Sequence, residues 1–246
     1  MHKNYFITGA TSGMGLEVTR QLLERGACVY GLGRNLEQIA ELQQKYPKNL
    51  VVRSCDLALA GSDSDSNLSE SQLETLVQDA SKFFGPIDCF FLNAGVAAGN
   101  ELTSWREVKL TIDTNISSTT RLLVLALAHL QNRRGTVAIN TSVSCLLGLR
   151  QAPVYSASKA YLSNLCSAVR AKLRKEKQTI QIVEIRPGFV DTKMAGAQFW
   201  LVPLKEAGRQ IIEAMDKGQS TAYISPRWSL IGFLIQVLPR WILERV

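Results

Sequence analysis

The sequence predicts an α/β fold: a doubly wound, parallel, seven-stranded sheet with helices on both faces. Two observations predict it. Short apolar runs alternate with longer stretches of helical periodicity, as expected for parallel strands linked by crossover helices. Each short run is also apolar almost without interruption, as a strand buried on both faces must be.

Seven strands are predicted from the apolar runs. They are Tyr5–Thr8, Cys28–Leu32, Leu50–Cys55, Cys89–Leu92, Val137–Asn140, Ile180–Arg186 and Ala222–Ile224. Gly85-Pro86 precedes the fourth strand and Pro187-Gly188 follows the sixth, and both pairs are typical of element ends.

Six helical stretches separate the strands. They are Gly15–Arg25, Gln72–Phe84, Trp105–Asp113, Ser118–Gln131, Val154–Lys177 and Val202–Lys217. The Ser-, Asp- and Gly-rich segment Gly61–Ser71 is predicted to be an exposed loop. Because no repeat or long linker divides the chain, we expect one domain over residues 1–246, ending in an apolar tail at 226–246.

Composition narrows the class of protein. A chain of 246 residues, 46% apolar and 20% charged, can bury a large core, which excludes a disordered chain, a fibre and a disulfide miniprotein. The five cysteines show no metal-ligand spacing, so we expect reduced thiols, no metal site and a cytoplasmic location. The net charge is +7, but the densest basic run, Arg170–Lys177, lacks interleaved aromatic residues, so no nucleic-acid partner is expected.

A glycine-rich segment follows the first strand and opens the first helix. Its glycines allow a tight turn and a close approach of the backbone, and the helix N-terminus favours an anion such as a pyrophosphate. An ordinary glycine-rich connection is the alternative. The residues expected to contact a dinucleotide here are Thr8, Gly9, Thr11, Ser12, Gly13, Met14 and Gly15.

The end of the second strand indicates which dinucleotide is preferred. A carboxylate at this point would bind the adenosine ribose of NAD, whereas this chain has Gly33-Arg34. An arginine can pair with the 2′-phosphate of NADP. We therefore predict NADP as the cofactor, with NAD as the alternative. If no cofactor binds here, Arg34 is simply a solvated arginine at the start of a loop.

Four motifs together resemble the short-chain dehydrogenase/reductase family over roughly residues 4 to 225. In chain order they are Gly9-x-x-x-Gly13-x-Gly15, Asn93-Ala94-Gly95, Tyr155-Ser156-Ala157-Ser158-Lys159 and Pro187-Gly188. Each motif alone is weak evidence for the family, but the four motifs together, on the expected strands and helices, are specific for it. The resemblance implies a Rossmann fold and a nicotinamide-dependent oxidoreductase.

Tyr155 and Lys159 are the predicted catalytic pair. Residues four apart lie on one face of a helix, so both side chains point the same way. A free phenol has a pKa of about 10, and a nearby ammonium and an oxidised nicotinamide would lower it. Tyr155 would then exchange a proton with the substrate oxygen. Taken alone, the spacing is more typical of a helix surface pair.

The resemblance assigns two further residues. Ser142, thirteen positions before Tyr155, matches the family serine that holds the substrate oxygen, with Ser144 as an alternative. Asn115 matches the asparagine that orders a water near Lys159, which would connect that lysine to solvent. A turn serine and a helix-kink asparagine are the structural alternatives.

The resemblance also implies weaker contacts with the cofactor. Asp56 and Leu57 would lie near the adenine, Lys159 would reach the nicotinamide ribose, and Thr192 would bind the carboxamide. The remaining residues expected to line the cofactor cleft are Asn93, Ala94, Gly95, Pro187, Gly188 and Val190. Leu92 stands where the family often has asparagine, and we expect that difference to alter packing only.

Two segments bear on substrate and partners. Met194–Leu204 is apolar where the family has a substrate lid, so we expect a hydrophobic carbonyl or alcohol substrate. The tail is rich in apolar residues, with Pro239 expected to interrupt any helix. Packing on its own domain or on a neighbouring subunit is preferred for the tail, and peripheral membrane contact is the alternative.

Three functions are compared. The preferred one is an NADP-dependent oxidoreductase, expected as a homodimer or homotetramer by the resemblance. A non-catalytic NADP-binding sensor or scaffold on the same fold is the second, although a sensor needs no proton relay. A sugar-nucleotide epimerase is disfavoured because the chain lacks room for the added substrate region.

Overall fold

Seven strands form a single parallel sheet in the computed structural model, which describes residues 3–58, 70–192 and 200–239. The predicted doubly wound α/β fold is confirmed, and the strand order is β3-β2-β1-β4-β5-β6-β7. The strands are β1 Asn4–Thr8, β2 Cys28–Gly33, β3 Leu50–Ser54, β4 Cys89–Leu92, β5 Gly135–Asn140, β6 Ile180–Pro187 and β7 Thr221–Ile224.

Helices cover both faces of this sheet. They are α1 Gly13–Glu24, α2 Ala40–Lys45, α3 Glu70–Phe84, α4 Trp105–Thr111, α5 Ser118–His129, α6 Pro153–Lys175, α7 Leu204–Lys217 and α8 Arg227–Val237. Alternate residues of β1 reach opposite cores: Ile7 joins α1 and α7, while Phe6 joins α3, α5 and α6. This division explains why the strands lack polar alternation.

The strand order reverses at β1, which lies between β2 and β4. In such sheets, ligands bind outside the carboxyl ends of the strands at the reversal point. Thr8 and Leu92, the last residues of β1 and β4, are directly paired there. The glycine-rich segment therefore lies at the position where this topology places a ligand.

Several predicted boundaries were wrong by a few residues. The helix α1 begins at Gly13 rather than Gly15, and α3 begins at Glu70, inside the predicted loop. The short helix α2 was missed because its six residues include none that are buried, so they carry no apolar periodicity. The predicted gap before α5 is instead a π-helical turn, Ile112–Ser117, that joins α4 to α5.

The tail begins with a helix that packs on the rest of the fold. Helix α8 contacts β7 and the 3₁₀ turn Val143–Leu146. It ends at Val237, before Pro239, as predicted. The exposed apolar side chains of this helix and of the residue that follows it are Leu230, Phe233, Leu234, Val237 and Leu238. In the described part of the chain, no helix is both long and apolar enough to cross a bilayer.

Candidate active site

The glycine-rich segment, residues 8–15, makes a tight turn after β1 in which Gly15 passes close to Gly9. This turn is called the glycine crossing below. A Cβ at Gly15 would lie 2.1 Å from the main-chain oxygen of Gly9, so the chain can cross here only with glycine. Gly9 and Gly13 have φ values of +67° and +50°, a region that L-residues with side chains rarely adopt. The sequence prediction that these glycines are needed for backbone geometry is therefore confirmed.

The N-terminus of α1 opens directly from this crossing. Its first turn holds no acidic residue, and the side chain of Ser12 makes no capping hydrogen bond to the described residues. The first amides of the helix therefore have no carboxylate competing for them. A helix end of this kind favours an anionic ligand such as a pyrophosphate.

Hydrogen bonds join the carboxyl ends of β1, β4 and β5. Thr8 Oγ1 accepts from the main-chain amides of Asn93, at 2.9 Å, and Ala94, at 3.0 Å. Asn93 Nδ2 donates to the main-chain oxygen of Thr8 at 3.1 Å. Asn140 Nδ2 donates to Asn93 Oδ1 at 3.0 Å. This network fixes the floor of the cleft.

Arg34 lies just beyond the end of β2, with an exposed side chain. The adjacent Gly33 is in close contact with the glycine-rich segment, since a Cβ there would lie 2.3 Å from Thr11 Oγ1. The carbonyl of Gly33 also accepts from the amide of Cys55 at 3.0 Å, next to Asp56. Arg34 and Asp56 thus follow the ends of the paired strands β2 and β3.

Tyr155 and Lys159 occupy successive turns of α6 and lie close together. Lys159 Nζ is 5.5 Å from the centre of the Tyr155 ring. The ammonium donates to the main-chain oxygen of Asn140, at the end of β5, at 2.8 Å. Lys159 is only 2% exposed. The long helix therefore directs its lysine to the carboxyl edge of the sheet.

Burial dominates the titration of both groups. It lowers the pKa of Lys159 to about 8, because an ammonium out of water is disfavoured. Burial raises the pKa of Tyr155, and a hydrogen bond with Ser142 acts in the opposite direction. The chain's own groups therefore leave this phenol less acidic than a free one, whereas the lowering predicted from the sequence also counts the charge of an oxidised nicotinamide.

Ser142 faces Tyr155 from the turn that follows β5. Its hydroxyl accepts from the amide of Ser144 at 3.1 Å and lies 3.5 Å from the main-chain oxygen of Pro187. These contacts fix the serine between β5 and β6. The alternative serine, Ser144, is buried, and of the two serines it is Ser142 that acts to lower the pKa of Tyr155.

Asn115 lies in the π-helical turn and is fully buried. Its Oδ1 accepts from the amide of Val96 at 2.8 Å, and its Nδ2 donates to the carbonyl of Val96 and to Ser158 Oγ, both at 2.9 Å. Asn115 thus ties the loop after β4 to α6. A Cβ on Gly95 would meet both Asn115 and Lys159 within 3.4 Å, so these groups are close.

The segment after β6 borders the same cleft. Val190 pairs with Val202 in an isolated bridge, and a Cβ on Gly13 would lie 3.6 Å from Thr192 Cγ2. Thr192 is thereby brought beside the start of α1. Of the predicted apolar lid, residues 194–204, the part at 194–199 lies outside the described residues.

Sequence reasoning missed two residues at this site. Asn140 holds both Lys159 and Asn93, and its position at the end of β5 could have indicated this. Trp228 packs on Gly188, where a Cβ would lie 2.0 Å from Trp228 Cε2. In the sequence, Trp228 stands out only as one of the apolar residues of the tail.

The residues present fit a nicotinamide dinucleotide. The glycine crossing leads into a helix N-terminus, Arg34 is an exposed cation just beyond the end of β2, and Lys159 reaches the carboxyl edge of the sheet at the end of β5. Asn140 Oδ1 is buried without a hydrogen-bond partner among the described residues. Such an orphaned acceptor is what a donor from a ligand or ordered water would satisfy.

Comparison with known proteins agrees with this geometry. A family model described as short chain dehydrogenase matches residues 3–199. The 11-beta-hydroxysteroid dehydrogenase-like 2 of Arabidopsis thaliana is 28% identical over 248 residues, covering 95% of this chain and 77% of the relative.

Solved structures share the fold. A short-chain dehydrogenase from Burkholderia cenocepacia J2315, in complex with NADP, matches with a TM-score of 0.81 and 20% identity, covering 99% of this chain and 97% of that one. A relative from Burkholderia phymatum, in complex with NAD, has the same TM-score and 18% identity, covering 95% and 92%.

Proposed function

This chain belongs to the short-chain dehydrogenase family, a family of oxidoreductases, and we propose that it is an NADP(H)-preferring enzyme that interconverts a carbonyl and a hydroxyl group on a hydrophobic substrate. One observation carries the proposal. A tyrosine, a buried lysine and a serine converge at the carboxyl edge of the sheet, beside a glycine crossing. These residues are suited to proton transfer next to a dinucleotide.

The cofactor residues are proposed from their positions. Thr8 to Gly15 and the start of α1 hold the phosphates, Arg34 pairs with the 2′-phosphate, and Asp56 lies near the adenine. Asn93 to Gly95, Lys159 and the segment from Pro187 to Thr192 bind the nicotinamide half. The bound cofactor supplies or accepts the hydride.

Tyr155 is proposed as the group that exchanges the proton. In the reductive direction its hydroxyl donates to the carbonyl oxygen as the carbon is reduced, and in the oxidative direction its phenolate accepts the alcohol proton. Ser142 holds the substrate oxygen beside the phenol. Since burial raises the pKa of Tyr155, the positive charges of Lys159 and of the oxidised nicotinamide are needed to favour its phenolate.

Lys159 and Asn115 have supporting roles. The ammonium of Lys159 is buried and hydrogen-bonded to Asn140, so below about pH 8 it places a positive charge beside the phenol. Asn115 holds the loop after β4 and Ser158 in place. We propose that it also positions a water that connects Lys159 to solvent.

A panel of ketones and aldehydes, assayed by NADPH oxidation, tests this function. We expect turnover of apolar carbonyl compounds and the reverse reaction from the corresponding alcohols with NADP. Tight NADPH binding without turnover of any carbonyl or alcohol would contradict the enzyme and favour the sensor or scaffold alternative.

The outward face of α8 bears on partners. Its inner residues Trp228 and Gly232 lie close to Gly188 and Tyr223, which supports packing of that face on its own domain, one of the two packings preferred for the tail. The outer apolar stripe extends over one 11-residue helix, whereas a standard protein interface uses about 20–30 residues a side. We propose peripheral contact with a membrane surface through this stripe. A cytoplasmic homodimer or homotetramer stays a prediction.

A further inference from the structure

Trp228 holds a buried polar group that packing alone does not explain. The residue is 6% exposed, and its Nε1 has no hydrogen-bond partner within the described residues. An unpaired buried N–H is costly, and the indole nitrogen is a donor only. A phenylalanine could fill similar space without this cost, so the N–H requires a separate reason.

The unpaired N–H lies against a segment that borders the proposed reaction centre. A Cβ on Gly188 would be 2.1 Å from Trp228 Nε1, which places the pyrrole ring against that glycine. The preceding residue, Pro187, presents its carbonyl to Ser142 Oγ at 3.5 Å. Helix α8 also packs on the turn that follows Ser142. The tail helix is therefore part of the wall next to the substrate serine.

The surroundings of the indole are aromatic. Phe189 packs edge-on against Trp228, with ring centroids 5.4 Å apart, and Trp200 does the same at 6.3 Å. Both outer rings are partly exposed, at 39% and 44%. An apolar wall with one isolated donor is typical of a ligand pocket, in which a few polar groups fix the orientation of an otherwise apolar molecule.

We propose that Trp228 is a specificity residue whose indole N–H donates to a second oxygen of the substrate. This inference rests on the proposed function, because Tyr155 and Ser142 already hold the reacting oxygen. It narrows the substrate class to apolar carbonyl or alcohol compounds with a further acceptor, such as a second carbonyl or an ether. The apolar body of the substrate lies against Phe189 and Trp200.

Matched ketones test the inference. Cyclic monoketones and the corresponding diketones are assayed with the wild-type enzyme and with Trp228→Phe, which keeps the ring and removes the donor. We expect Trp228→Phe to lower kcat/KM for the diketones roughly tenfold, mainly through KM, and to leave the monoketones within about twofold. Trp105→Phe, at an indole that is 70% exposed on α4, is the matched control.

The outcomes separate the two claims. An equal loss for monoketones and diketones in Trp228→Phe, or no loss for either, overturns the role of Trp228 while the proposed function stands. A wild-type protein that binds NADPH but reduces none of the ketones overturns both. Unchanged NADPH affinity and melting temperature in Trp228→Phe would show that the selective loss comes from the missing donor rather than from altered folding.

Discussion

The ammonium nitrogen of Lys159 lies 5.5 Å from the centre of the Tyr155 ring, and its bonded partner is the main-chain oxygen of Asn140 at 2.8 Å. A buried cation is thus placed beside the phenol by two elements, α6 and β5. This arrangement has a free-energy cost in the folded chain, because burial lowers the pKa of Lys159 to about 8.

The first prediction concerns pH and stability. Between about pH 8 and pH 10.5 the unfolded lysine holds its proton while the folded one has lost it, so the free energy of unfolding rises with pH. Below pH 8 the buried charge destabilises the cofactor-free protein by up to about 3 kcal/mol. Chemical denaturation from pH 7 to pH 10.5 measures this slope.

Lys159→Met should abolish the part of this rise in the free energy of unfolding that comes from Lys159. Lys172→Met, at an exposed lysine on the same helix, should retain the rise. Subtracting the variant from the wild type cancels the titration of other groups. A difference that is flat across this pH range, or that falls with pH, would contradict the assignment of a lowered pKa to Lys159.

The second prediction concerns the choice of cofactor. Arg34→Ala should lower kcat/KM for NADPH about tenfold and leave that for NADH nearly unchanged, since only NADPH carries the 2′-phosphate. Steady-state rates at varied cofactor concentration give kcat/KM for NADPH and for NADH, and hence the ratio of the two. Arg174→Ala, at an exposed arginine near the end of α6, is the control. Equal losses with both cofactors, or a wild type that prefers NADH, would refute the prediction.

The third prediction concerns the glycine crossing. Gly15→Ala places a Cβ 2.1 Å from the main-chain oxygen of Gly9, so the segment must shift. We expect at least a tenfold weaker Kd for NADPH and a lower melting temperature, because rigid backbone cannot absorb the overlap. Gly148→Ala, where a Cβ meets nothing within 4 Å, should change neither. Normal NADPH binding by Gly15→Ala would show that the crossing is not part of the site.

The fourth prediction concerns the outer face of α8. Leu230→Glu should reduce binding to anionic phospholipid vesicles about tenfold or more, since a buried leucine contributes about 1.5–3 kcal/mol of transfer energy. Vesicle flotation measures the bound fraction. Leu102→Glu is the matched control, because both leucines are 64% exposed. A wild type that does not float, or equal losses in the two variants, would exclude membrane contact.

The fold and most of the site were predictable because their signals are local. Continuous apolar runs predicted the strands, and the glycine spacing predicted the crossing above β1. Tyr155 and Lys159 are four residues apart on one helix, so their proximity follows from helical geometry alone.

The remainder depends on contacts between distant parts of the chain. Asn140 reaches Lys159 and Asn93 only once β4, β5 and α6 are assembled. Trp228 meets Gly188 from forty positions away, and no short-range pattern predicts that contact. The raised pKa of Tyr155 likewise results from burial in the assembled fold, whereas the sequence shows only its charged neighbour.

The rate of hydride transfer in Tyr155→Phe tests the central claim most directly, with NADPH oxidation followed in a single turnover on a ketone that the wild type reduces. Without the phenolic proton we expect a rate lower by about 10² to 10⁴, with the Kd for NADPH unchanged and Tyr161→Phe, on the same helix, close to the wild type. A Tyr155→Phe rate within a few fold of the wild type would contradict the role of Tyr155 as the acid and base of the reaction.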